Sequence, residues 1–117
     1  MLGDDWLVRP PPSREELAAV LPEEEVAPMH QLLRDLHLRR ETRSVALRPL
    51  AELTGLDDSS HLVEAVVESR GGTRLRFYSL LGLDDGLDLR RLHRLTVGCS
   101  RRGGELFLCI FSSENIV

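Results

Sequence analysis

The chain contains no lysine: all fifteen of its basic residues are arginine. A GC-rich coding sequence is the simpler origin, because Asn, Ile and Tyr are also scarce while Leu, Arg and Gly abound. Selection against lysine modification, as would suit a viral or ubiquitin-pathway protein, is the other, and the residues do not separate the two. Cysteine is limited to Cys99 and Cys109, too few for a stapled scaffold in a chain of this length. Both fall at positions expected to face inward, where free cysteine behaves as a small hydrophobe. Aromatic residues make up only 4% of the chain, so no broad stacking platform for single-stranded nucleic acid is available. No apolar run approaches the roughly 20 residues of a membrane-spanning helix. The acidic start Met1-Leu2-Gly3-Asp4-Asp5-Trp6 lacks the basic flank and apolar stretch of a secretory signal, which sets a cytosolic or nuclear location as the expectation.

With 117 residues and 42% hydrophobic content, one domain with one unstapled core is expected. The net charge of −4 disfavours general attraction to nucleic acid. The charge is uneven, however. Residues 1–60 hold twelve acids and seven arginines, whereas residues 61–117 hold seven acids and eight arginines. That pattern is compatible with one basic face on an acidic protein.

Residues 1–12 form a leader ending in Arg9-Pro10-Pro11-Pro12, a segment that can be neither helix nor central strand, with the domain proper expected over 13–117. Trp6 in that leader either covers the edge of the core or serves as an anchor for a partner. Ser13-Arg14-Glu15-Glu16 has the S-x-x-E form of a capping box, and a short helix ending near Pro22 follows. A longer helix carries the stripe Val26, Met29, Leu32, Leu33, Leu36, with its body expected from about Ala27 to Arg40 because Pro28 is tolerated only near a first turn. Ser44–Arg48 alternates like a short strand. Pro49 to Gly55 then reads as one or two helical turns with a proline start and a glycine stop.

Two Arg-Gly-Gly triplets, at 70–72 and 102–104, each sit between alternating apolar residues, a pattern that predicts two β-hairpins. A three-residue loop at Arg70-Gly71-Gly72 would pair Val67 with Leu75, Ala65 with Phe77 and Glu68 with Arg74, keeping one face apolar. The same rule at Arg102-Gly103-Gly104 would pair Cys99 with Phe107 and Val97 with Cys109. A short helix carrying Leu87, Leu89, Leu92, His93 and Leu95 would lead into the second hairpin. The expected fold is therefore α+β, an antiparallel sheet of four to five strands built from two hairpins with the N-terminal helices packed on one face. The element order resembles that of small secretion-chaperone domains, and the resemblance implies a dimer that holds an extended client.

The candidate chemistry is sparse. His30, His37, His61 and His93 show no H-x-x-x-H spacing and there is no C-x-x-C pair, so neither a metal nor a cofactor is expected. Asp57-Asp58 and Asp84-Asp85 fit turn geometry better than a calcium loop, and no base or nucleophile singles them out. The expectation is a non-catalytic protein. Leu106 to Phe111 is apolar at every position; such a strand is either covered on both sides or offers one side to a partner. Leu106, Leu108 and Ile110, together with Trp6, are thus the candidate contacts for another protein, in a homo- or hetero-complex. Arg90, Arg91, Arg94, Arg101 and Arg102 form a candidate basic patch, whose planar guanidinium forks suit phosphate or carboxylate. Nucleic-acid binding is the alternative function, and the Arg-Gly-Gly triplets themselves read as turns.

Overall fold

The computed structural model describes residues 11–56, 60–83, 86 and 88–112. Residues 1–10 of the leader, with Trp6, and both aspartate pairs lie outside the described residues. Ser13 caps α1 (Arg14–Ala18) as the sequence predicts: its Oγ accepts from the Glu16 amide at 3.2 Å, and the Glu16 carboxylate accepts from the Ser13 amide at 3.3 Å. Helix α2 spans Glu23–Leu38, beginning a turn earlier than expected. Pro28 deprives only the Glu24 carbonyl of its helical bond, so the three preceding glutamates still form the first turn, at the positive end of the helix dipole. Strand β1 (Thr42–Pro49) leads directly into α3 (Leu50–Thr54), which Gly55 stops in a left-handed conformation. Buried Thr54 seals that end by donating to the Leu50 carbonyl at 3.0 Å and accepting from the Leu56 amide at 3.2 Å.

Strands β2 (His61–Ser69) and β3 (Gly72–Gly82) form the first hairpin. Its register differs by one residue from the expected one. The loop is the two-residue Arg70-Gly71, so Ser69 faces Gly72, Val67 faces Arg74, Ala65 faces Arg76 and Glu68 faces Thr73. Placing Arg76 beside Ala65 does not spoil the apolar face, because its guanidinium lies 5.3 Å from the Phe107 ring centroid. The ion pairs rearrange accordingly. Glu68 meets Arg43 at 3.2 Å and Arg74 meets Glu105 at 3.8 Å, instead of each other.

The second hairpin does not form. Residues 95–99 belong to helix α4 (Leu89–Arg101), and Gly104–Phe111 is a single strand, β4, that runs parallel to β3. Three local features favour the helix. Asp88 caps it by accepting from the Arg90 and Arg91 amides at 3.0 and 3.2 Å. Leu92, Leu95 and Cys99 follow helical spacing toward the sheet. Gly103, at φ +77°, takes the left-handed position just past the helix end, its amide bonding the Ser100 carbonyl at 2.9 Å. The glycines that looked like a hairpin corner thus serve as a helix stop. A parallel neighbour needs such a crossover.

The sheet order is β1-β2-β3-β4, antiparallel except for the last pair. The α+β class stands, but the sheet is mixed and helices cover both faces. On one face, Leu17, Met29, Leu33 and Leu36 of α1 and α2 pack on Val45, Val63, Ala65 and Tyr78. On the other, Leu50 and Leu53 of α3 and Leu95 and Cys99 of α4 pack on Leu62 and Phe77. The element order behind the resemblance to secretion chaperones is therefore not the one observed. Among the described residues, no helix is long and apolar enough to cross a membrane.

Candidate interaction surface

The two outer strands of the sheet differ in how they end it. An open edge presents unpaired amides and carbonyls, and natural proteins blunt it with charge, proline or a bulge. Strand β1 carries all three: Arg43 and Arg48 in ion pairs with Glu68 and Glu64, Pro49 at its end, and a register irregularity between Thr42 and Ser44. Strand β4 carries none of these guards except a single charge, Glu105, at its start. Its remaining residues after Gly104 are Leu106-Phe107-Leu108-Cys109-Ile110-Phe111, and no described strand lies beyond them.

Three of the seven exposed large apolar side chains among the described residues lie on this strand. Phe107 is 37%, Leu108 39% and Ile110 43% exposed, although all three are large and apolar. The parallel registry aligns Phe107 with Tyr78 and Leu108 with Ser79. Phe107 lies on the α1–α2 side of the sheet, its ring stacked on Tyr78 at 5.4 Å between centroids. Leu108 and Ile110 lie on the α3–α4 side, in the same row as Leu106. Leu106 itself packs against the Phe77 cluster, so it anchors the strand and is only partly available to a partner. Trp6 lies outside the described residues. Sequence reasoning missed Phe107, which the expected hairpin turned inward toward Cys99. The signal that could have found it was the unbroken apolar run, read without a preferred face.

The five arginines divide between two places. Arg94, Arg101 and Arg102 line a groove of about 440 Å³ between α3 and α4, together with Glu52, His93 and Val97. Arg94 Nη1 donates to the Thr54 carbonyl at 3.3 Å, which ties the two helices together. Arg90 shares the helix face of Arg94 and Arg101 through its spacing. Arg91 instead lines a cleft of about 400 Å³ with Ser79, Leu92 and Leu108, at the carboxyl ends of β3 and β4. The patch is therefore narrower than the sequence suggested.

Among the described residues, no group of three or more His, Cys, Asp or Glu side chains is placed to hold a metal ion. Cys99 is buried, and the loss of solvation pushes its thiol up to about 11; Cys109 is raised for the same reason. A thiol held protonated is a poor nucleophile. At pH 8, native Cys99 is expected to be alkylated about 100-fold more slowly than in the urea-unfolded chain, because two pKa units separate the states. Mass spectrometry after timed iodoacetamide pulses measures this; equal rates would contradict it. The folded state keeps a proton that the unfolded chain sheds above about pH 9. The corresponding stability is whole below pH 9 and declines as pH rises toward 11.

The chain matches no protein-family model, no curated protein and no solved structure at a significant level.

Proposed function

We propose that this chain is a non-catalytic protein-interaction subunit that docks a partner on the β4 edge. The observation that carries the reading is the contrast between the guarded edge at β1 and the unguarded, apolar edge at β4. Added strands bind such edges through main-chain hydrogen bonds, with alternate side chains supplying specificity. Here Phe107 supplies one face of the contact and Leu108 with Ile110 the other. Burying three large apolar side chains that are now over a third exposed contributes on the order of 1 kcal/mol each.

Affinity purification from the native source, read by mass spectrometry, tests the reading when run beside a Leu108→Lys/Ile110→Lys variant. The expected result is a defined set of proteins, among them additional copies of the chain where the edge pairs with itself, that accompanies the native chain and is lost with the variant. The same set on both chains would overturn it. A second reading, binding of nucleic-acid phosphates, is favoured by one observation: the helical α4 gathers Arg94, Arg101 and Arg102 around one groove. Capture that depends on those arginines and vanishes with nuclease treatment would support that reading instead.

A further inference from the structure

We propose that the groove between α3 and α4 is a binding site for a small phosphate monoester. The groove shares no lining residue with β4, so the site stands apart from the docking edge.

Its walls are held before any ligand arrives. The groove encloses about 440 Å³, within the roughly 300–1,000 Å³ of small-molecule sites. Gly98 of α4 lies so close to the Leu53 carbonyl of α3 that a Cβ would overlap it. A turn earlier, the Arg94 guanidinium is tied to the Thr54 carbonyl at 3.3 Å. That bond fixes the planar fork in advance, so less side-chain freedom is lost on binding.

Charge selects the ligand. From Leu89 to Gly104 the chain has five arginines and no acid, and Arg94, Arg101 and Arg102 line the groove. Three arginines on the sheet are neutralised: Arg43 by Glu68, Arg48 by Glu64 and Arg74 by Glu105. Among the described residues, no carboxylate is ion-paired with the three in the groove. Glu52 is the one carboxylate in the lining, so three guanidinium charges against one leave an excess of two. A phosphate monoester carries about −1.5 to −2 at pH 7 and cancels that excess, whereas a single carboxylate leaves half of it. Leu53 and Val97 offer an apolar wall to the body of the ester. Arg101 and Arg102 also complement the carboxyl end of α4, a role that accounts for their place along the helix and not for their sharing a concavity with Arg94. The same features disfavour a polymer. A protein held on duplex DNA engages about 6–10 phosphates, and three arginines on a chain of net charge −4 fall short of that.

Amide NMR of the full chain titrated with phenyl phosphate, beside benzoate as the carboxylate of like body, tests the site. Saturable shifts centred on residues 94–103 are expected, with a Kd of about 1 mM or tighter and benzoate about tenfold weaker. Arg101→Gln and Arg102→Gln should each raise the Kd about tenfold, the loss of one charge-assisted pair. Both side chains are exposed, so the unliganded spectra should otherwise overlay. Arg74→Gln, which removes an arginine of the sheet, should leave the Kd unchanged. Shifts that do not saturate, benzoate binding as tightly, or an equal loss with Arg74→Gln would each overturn the proposal. Phosphatidic-acid vesicles carry the same group on a membrane, and a short DNA strand carries phosphodiesters. Uptake of either by a chain that does not bind phenyl phosphate would also overturn it, assigning the groove to a membrane or to the nucleic-acid reading.

Discussion

Phe77→Ala is expected to cost about 3–5 kcal/mol of folding stability, the range for emptying a fully buried aromatic site. Phe77 is completely buried on the α3–α4 face, in one cluster with Leu50 and Leu53 of α3 and Leu95 and Cys99 of α4, against which Leu106 of β4 packs. Because β4 follows α4 and pairs only with β3 among the described strands, Phe77 is the side chain that holds the outer strand against the helical layer. A small domain has about 5–15 kcal/mol in total, so the variant should sit near the edge of folding. Urea unfolding followed by circular dichroism measures the loss as a lower midpoint at unchanged slope. A loss under about 1 kcal/mol would show that the α3–α4 layer is not packed on Phe77 as described.

Gly98→Ala ranks second. A Cβ at this position would overlap the Leu53 backbone oxygen, with Leu53 Cβ also close at 3.2 Å. A flexible side chain could swing away; a backbone carbonyl cannot. Helix α3 would have to shift relative to α4, breaking the Arg94 bond to Thr54 and reshaping the groove lined by Arg101 and Arg102. The expected cost is about 1–3 kcal/mol, despite the roughly 1 kcal/mol that alanine gains over glycine in a helix interior. Thr96→Ala, on the exposed side of the same helix, should be within about 0.5 kcal/mol of the native chain. Comparable effects at the two positions, measured by the same unfolding experiment, would contradict the close α3–α4 contact.

The parts of this fold that were legible in the sequence are those decided within a few residues. Ser13 and Glu16 announce α1, and Pro49 with Gly55 bracket α3. Arg70-Gly71-Gly72 marks a hairpin, because each of these signals acts through local backbone bonds. The hairpin register was not legible, since it turns on whether Arg76 can sit on an apolar face. That depends on Phe107, which arrives from another strand thirty-one positions later. The misread stretch at 95–99 shows the same limit. Leu95, Val97 and Cys99 alternate as a strand would, while Leu92, Leu95 and Cys99 recur as a helix would, and Gly103 suits either ending. What decides between them is the sheet edge at β3, available to a parallel strand only if a helix brings the chain back. The candidate contacts on β4 were readable from its apolar run; which of them remained exposed was not.

Amide hydrogen exchange resolved along 104–111 tests the docking edge most directly. Beside a parallel neighbour, successive residues of β4 point their amides alternately toward β3 and away from it. In the free chain, every second amide in 105–110 should exchange freely while the rest stay protected, and a bound partner should protect them all. Uniform protection in the free chain, unaltered in a Leu108→Lys variant, would show the edge covered within its own chain, and would contradict the assignment of β4 as a surface for another molecule.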